Sequence, residues 1–359
     1  MTVWRQTGFW IGAFVALLLF LLIFSEILLP FVAGMVLAYA LDPIADRLEQ
    51  GGLGRLGATL TILVVVIVVV VLAVILLVPV LANQLADFIQ RIPEYADKLQ
   101  TLFTTLIHSR LSAHLGIDPN QIGTSLRGLT SQGSTWVAAI LASLWNGGQA
   151  FLNIVALFIV TPVVAFYVLY DWDRLVAHVD SWLPRDHLEE IRSIAREIDR
   201  AIAAFIRGQG LTCLILATFY STGLVTIGLN FGFLIGLAAG ILSFIPFVGA
   251  TGGFIVAVAV AIVQFWPDWP WIIATMGVFV AGQFMENYVL QPRLIGQNVG
   301  LHPVWVMFAL FAFGYLFGFV GVMIAIPAAA AVGVLVRYAL GRYLDSPIYR
   351  GVGVGSERE

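Results

Sequence analysis

The stretch GFLIGLAAGILSFIPFVGATGGFIVAVAVAIVQFW, residues 232–266, decides how this chain is read. It is apolar enough for a membrane helix, yet Ile245-Pro246-Phe247-Val248-Gly249, followed by Gly252-Gly253, interrupts it midway. Proline removes a backbone donor and its ring collides with the preceding turn. In lipid, unwound backbone persists only where protein or a water-filled cavity satisfies its N–H and C=O groups. A second apolar stretch, residues 303–337, repeats the pattern with Gly314, Gly318 and Ile326-Pro327, and Gln283, Glu286, Asn287 and Gln291 lie between the two. Paired interrupted segments around polar residues at membrane depth point to transport, with the solute near the midplane where the breaks meet.

Composition sets the class. The chain has 359 residues, 60% hydrophobic and 11% charged, against about 25% charged for a soluble domain. Its apolar runs exceed the ~20 residues that span a bilayer, so an all-α polytopic membrane protein is expected, with the lipid bilayer as its first partner. One cysteine, Cys213, leaves no intramolecular disulfide and no cysteine metal cluster. The five histidines are scattered, and the spans contain no phosphate loop and no paired-aspartate, serine or zinc-ligand constellation. The reading is therefore not an enzyme, with no cofactor, no metal and no nucleic acid.

Along the chain, residues 1–81 read as N-terminal spans: Phe9 to Phe24, Ile27 to Leu41 with Asp42 ending that span, and Leu56 to Leu81. Residues 82–135 read as an extracytoplasmic region whose Leu85, Phe88, Ile89, Ile92, Leu99, Leu102, Phe103 and Leu106 recur at helical spacing. Residues 136–170 hold a span with Thr161-Pro162 as a kink. Residues 171–208 form amphipathic helices, residues 209–340 a core of span plus broken hairpin, twice, and residues 341–359 a tail expected to be disordered.

Lys and Arg positions set orientation. Residues 83–136 hold Arg91, Lys98, Arg110 and Arg127, whereas residues 171–207 hold six arginines. Placing the second region inside puts fourteen of the eighteen basic residues on one side and both termini in the cytoplasm. The two core halves then enter from opposite sides, the outline of an inverted repeat with re-entrant hairpins. Gly228, Gly232, Gly236 and Gly240 recur every fourth residue, as do Gly321, Ala325, Ala329 and Gly333. Such ladders leave a flat strip for close helix approach. The apolar faces of the amphipathic stretches suit packing between subunits, so a homo-oligomer is expected.

The motifs Leu37-Ala-Tyr-Ala-Leu-Asp-Pro43, Phe166-Tyr-Val-Leu-Tyr-Asp171 with Asp173-Arg174, Arg207-Gly-Gln209, Ser243-Phe-Ile-Pro-Phe-Val-Gly249, Glu286-Asn287 with Gln291-Pro-Arg293, Leu294-Ile-Gly296 and Gly300-Leu-His-Pro303 resemble the autoinducer-2 exporter family. The resemblance runs from Leu29 to about Arg337. It implies a bacterial inner-membrane protein of about eight spans, associated with export of the quorum-sensing signal autoinducer-2 and in some members with sodium/proton antiport.

Glu286 leads the pathway candidates, because a carboxylate in an apolar helix must face protein, pair or take up a proton. Gln283, Glu286, Asn287 and Leu290 share a helical face, with pairing of Glu286 to Arg293 as the structural alternative. Gln209 and Thr212 are candidates to line the same cavity, and Ser243, Pro246, Gly249 and Thr251 to form the outer hairpin tip, with Pro327 its counterpart. Gly232, Gly236, Gly240, Gly318 and Gly321 are assigned to packing. The function expected is export of a small polar metabolite coupled to an ion gradient. The alternatives are a monovalent-cation (sodium)/proton antiporter, with Glu286 carrying the proton, and a non-transporting membrane scaffold.

Overall fold

The computed structural model describes residues 12–13, 15–17, 19–106, 148–246, 248–295 and 302–350. The start of the first expected span (residues 9–11), the rest of the extracytoplasmic region after Leu106, residues 136–147, Phe247, residues 296–301 and the tail from 351 lie outside the described residues. Helices account for nearly all of the rest, and no strand occurs among the described residues. They are α1 (Leu28–Gln50), α2 (Arg55–Leu106), α3 (Gly148–Ser181), α4 (Leu188–Thr226), α5 (Gly232–Leu242), α6 (Val248–Phe265), α7 (Trp269–Met285), a π-helical segment (Glu286–Ile295), α8 (Pro303–Asp345) and α9 (Pro347–Arg350).

Six described helices are long and apolar enough to cross a membrane: α1, α2 over Arg55–Tyr95, α3 over Val155–Ser181, α4 extended back to Arg185, α6 and α8. Apolar side chains cover their outsides. In α2 only 6% of the most apolar window is buried, and its valine run Val64 to Val71 points largely outward. In water this would be an aggregation surface, whereas in lipid it is the expected solvent-facing side.

Several boundaries differ from the sequence expectation. Asp42 does not end its span, because α1 continues through Pro43 to Gln50. The charge is tolerated there because Arg55 meets it at 2.7 Å. Leu56 to Leu81 and the amphipathic stretch after it are one 52-residue helix, about 78 Å long. Its inward side carries Gln84, Phe88, Ile92 and Tyr95, while Leu85 is exposed. The amphipathic helix after Arg185 likewise runs without interruption into the following span as α4. The tail remains helical to Arg350 apart from a bend at Ser346.

By contact, the chain forms two compact units. The first comprises Met1–Val64, Leu157–Gly210 and Leu290–Glu359; the second comprises Val65–Ala156 and Leu211–Val289. These units cut across the sequential domains read from the sequence, since α2 and α4 each begin in the first unit and end in the second. The first unit is laced with ion pairs. Arg55 reaches Asp42 and Asp46 at 2.7 Å and Glu49 at 3.4 Å, and donates to the Leu169 carbonyl. Arg192 forks onto Asp180, Arg342 pairs with Glu190, and Arg337 with Glu197. The Tyr39 hydroxyl donates to Asp199.

Each unit contains one broken hairpin. In the second unit α5 and α6 pack on each other, with Ser243–Pro246 leaving the helix between them. In the first unit the break falls at Gly318 (φ 59°, ψ −138°), not at Ile326-Pro327, which lies inside the helix. The chain reverses there: a Cβ on Gly321 would sit 1.8 Å from the Phe313 carbonyl, eight residues back. Only glycine adopts this backbone region without strain, whereas a membrane helix absorbs a proline by local adjustment.

Candidate functional site

In the second unit two of the polar candidates, Gln283 and Glu286, sit on α7 and the turn that follows it. Helix α7 buries Ile272, Thr275, Phe279 and Gly282 at spacings of three and four, and the next turn continues the row with Glu286. Thr275 satisfies its hydroxyl locally by donating to the Trp271 carbonyl. Phe279 stacks on Tyr220 of α4 with centroids 4.7 Å apart and meets Phe254 of α6 edge-on. Gly282 leaves room for the Tyr220 ring, since a Cβ there would come within 2.2 Å of it and within 2.6 Å of its hydroxyl.

Glu286 is 8% exposed and accepts a hydrogen bond of 2.8 Å from the Gln283 side-chain amide. A carboxylate so enclosed is tolerable only when hydrogen-bonded or protonated. The fully buried Tyr220 hydroxyl, set against Gly282 one turn before Glu286, makes no hydrogen bond. An unpaired buried hydroxyl forgoes about 1–3 kcal/mol. Sequence reading missed Tyr220, although the signal was present: it occupies the same buried stripe of α4 as Gln209, Thr212, Leu216 and Leu224.

At Glu286 the α-helix widens into a π-helix that runs to Ile295. Pro292 within it has no N–H, and its ring would strike the carbonyl four residues back in an α-helix; a wider turn accommodates it. Such π segments recur at functional sites. The widening also corrects the expected polar wall. Gln283, Glu286 and Leu290 turn inward, whereas Asn287, Gln291 and Arg293 are exposed.

The residues expected at the hairpin tip differ in exposure. Ser243 is buried and donates to the Ala239 carbonyl, and Gly249 packs against it so closely that a Cβ would lie 2.2 Å from the Ser243 nitrogen. Pro246 is half-buried, and Thr251 is exposed and stands apart. The N–H groups of Ser243, Phe244, Ile245 and Val248 bond to the carbonyls of Ala239, Ile241, Leu242 and Ile245, so they are not donors on offer to a solute. Gln209 and Thr212 are buried at 5% and 0% exposure. Pro327 is half-buried within its helix.

The glycine ladder is a packing seam. Cβ atoms on Gly232, Gly236 and Gly240 would meet Leu224, Ser221 and Ala217 of α4 at 3.0, 2.3 and 2.1 Å. Gly228 does not belong to it, and has φ +76° in the turn that precedes α5. In α8 the buried row is Gly321, Ala325, Ile326, Ala330 and Val334, so the expected ladder through Ala329 and Gly333 is offset by one residue after Ala325.

Six described helices long and apolar enough to cross a bilayer mark a polytopic membrane protein, and the family match supplies the transporter class. The chain belongs to the AI-2E transporter family: the profile described as "AI-2E family transporter" matches residues 11–341. It is 27% identical over 325 residues to "Putative transport protein YrrI" of Bacillus subtilis, covering 89% of each chain. To "Putative permease PerM" of Escherichia coli K12 it is 28% identical over 320 residues, covering 88% of each. To "Putative transport protein MT0215" of Mycobacterium tuberculosis it is 23% identical, over 94% of this chain and 91% of that one.

Proposed function

We propose that this protein is a secondary transporter of the bacterial inner membrane that exports a small polar metabolite, autoinducer-2 or a related signal, by alternating access coupled to an ion gradient. The observation that carries this reading is the buried Glu286 carboxylate, held by Gln283 beside the Tyr220 hydroxyl. Burial makes its charged form costly, so a proton taken up on one side and released on the other is the chemically economical coupling step. Tyr220 and Gln283 supply hydroxyl and amide groups of the kind that bind an uncharged polar solute.

Helix lengths support re-entrant hairpins. The first arms are α5, 11 residues, and Pro303–Phe317, 15 residues before the Gly318 break. At 1.5 Å per residue they reach about 16 and 22 Å, short of the ~30 Å hydrocarbon core. The basic residues support cytoplasmic termini and oppositely entering halves. Among the described residues, the twelve assigned to the inner side all belong to the first unit, while Arg91 and Lys98 belong to the second.

Sealed vesicles test the reading. Autoinducer-2 counterflow that loses its pH dependence in Glu286→Gln supports it, and unchanged pH dependence removes Glu286 from the mechanism. The same carboxylate favours a second reading, sodium/proton antiport, which predicts instead sodium-dependent dequenching of a pH dye that Glu286→Gln abolishes. A scaffold gives neither signal. Single cysteines at the two tips, Val248→Cys and Phe319→Cys in a Cys213→Ala background, should react with impermeant reagents from opposite sides; reaction from one side sinks the inverted arrangement.

A further inference from the structure

Helix α5 begins without a side-chain cap from its own N-cap residue. Its N-cap residue, Phe231, is in the left-handed region (φ 59°, ψ 15°) and provides no side-chain hydrogen bond to the first turn. The first N–H groups of a helix have no intrahelical partner, and away from water each unsatisfied one costs several kcal/mol. The Gly232 N–H bonds to the Leu229 carbonyl, and two other helices of the same unit supply further acceptors, one to the first turn of α5 and one to the turn that precedes it. Gln84, on the outer half of α2, accepts from the Leu234 N–H at 3.0 Å. Gln264, near the end of α6, accepts from the Asn230 N–H at 2.7 Å and donates to the Gly228 carbonyl at 2.8 Å, bridging the turn with one amide.

Further contacts close the same spot. The Asn230 side-chain amide donates to the Tyr95 hydroxyl at 3.3 Å. The Phe231 ring packs edge-on against Phe88 and Tyr95, with centroids 5.2 and 6.4 Å away. A non-glycine residue in the left-handed region costs about 1–3 kcal/mol and persists only where its surroundings over-determine it. These rings and amides are those surroundings. The base of the first hairpin is therefore fixed on both sides, by α2 and by the far end of its own second arm.

We propose that Gln84, assisted by Gln264 and Tyr95, is a positioning residue of the transport core: it clamps the base of the α5/α6 hairpin to the outer half of α2, and thereby sets where Ser243 and Val248 at the other end stand. The consequence for solute movement rests on the transport reading; the clamp itself does not. Hairpin displacement must then either occur at the tip or carry α2 along.

The test uses the full chain in lipid nanodiscs and needs no solute. Gln84→Met keeps length and removes the acceptor, whereas Gln84→Glu keeps an acceptor suited to a helix N-terminus. Hydrogen exchange at Leu234 should be about tenfold faster in Gln84→Met, as for loss of a helix cap, near wild type in Gln84→Glu, and unchanged in both at Ala217–Leu224. Labelling of a tip cysteine, Val248→Cys in Cys213→Ala, should change about threefold with Gln84→Met and not with Gln84→Glu. Unchanged exchange at Leu234, or equal behaviour of the Met and Glu variants, overturns the cap. Faster exchange at Leu234 with unaltered tip labelling overturns the positioning role. None of these outcomes touches the transport reading, which stands or falls on vesicle counterflow.

Discussion

Alanine at Gly240 is the sharpest probe of the packing. A Cβ built there lies 2.1 Å from the Ala217 Cα, 2.2 Å from its nitrogen and 2.5 Å from its Cβ. Carbon atoms settle at about 3.5–4.0 Å, and backbone cannot rotate aside, so α5 has to retreat from α4 by roughly 1.5 Å. A helix moves as a rod, so the seams at Gly236 and Gly232 open with it. Overpacking of this kind costs about 1–3 kcal/mol, partly offset by the ~0.5–1 kcal/mol that alanine gains over glycine in a helix. Gly277, in the exposed face of α7, has nothing within 4 Å of its Cβ position, so Gly277→Ala should gain that propensity alone. The two variants should therefore differ in sign and by about 2 kcal/mol in reversible unfolding in mixed micelles. If Gly240→Ala falls within about 0.5 kcal/mol of Gly277→Ala, the seam does not constrain the packing and the close approach is wrong.

Other substitutions separate the remaining contacts. Tyr220→Phe removes a buried hydroxyl without a hydrogen bond, so stability should hold or rise by about 1 kcal/mol in the same unfolding assay; a loss of counterflow in that stable variant assigns the hydroxyl to the solute, and a drop in stability contradicts its unpaired state. Arg55→Ala, which strands the Asp42, Asp46 and Glu49 carboxylates and the Leu169 carbonyl, should cost about 1–3 kcal/mol after allowance for their partial exposure. Arg55→Lys should restore less than half, because one ammonium cannot span the fork; full rescue by lysine refutes that geometry. Gly318→Ala should destabilise by about 1–3 kcal/mol through its backbone conformation, whereas Gly341→Ala, helical and with open space around it, should gain the ~0.5–1 kcal/mol of alanine over glycine. Equal unfolding free energies for these two would move the second break away from Gly318.

Much of the fold is legible in the sequence because a bilayer leaves few choices. The first break, around Pro246, lies where Ile245-Pro246 and Gly249 indicate. The second lies away from the expected Pro327, since proline announces itself in a sequence while the decisive feature, a glycine with φ +59°, looks like any other glycine in an apolar run. The candidate site is half legible. Glu286 stands out as a carboxylate among apolar residues, and Gln283 follows from helical spacing. Asn287 departs from its expected face because the count of 3.6 residues per turn fails where the helix widens. Tyr220, Gln84 and Gln264 are unremarkable in the sequence, because each acts on a partner 30 or more residues away: Tyr220 on Phe279, Gln84 on Leu234 and Gln264 on Asn230.

The sequence by itself determined that the chain is helical, that it belongs in lipid, and that one apolar segment is broken at its centre, because backbone polar groups in hydrocarbon have no partner outside their own helix. Tertiary structure alone decided which glycines form the seam, where the second chain reversal falls, which side of the Glu286 turn is enclosed, and which side chains cap α5. Those outcomes depend on distances between residues remote in the chain, set to tenths of an ångström by close packing, and periodicity along a sequence carries no record of them.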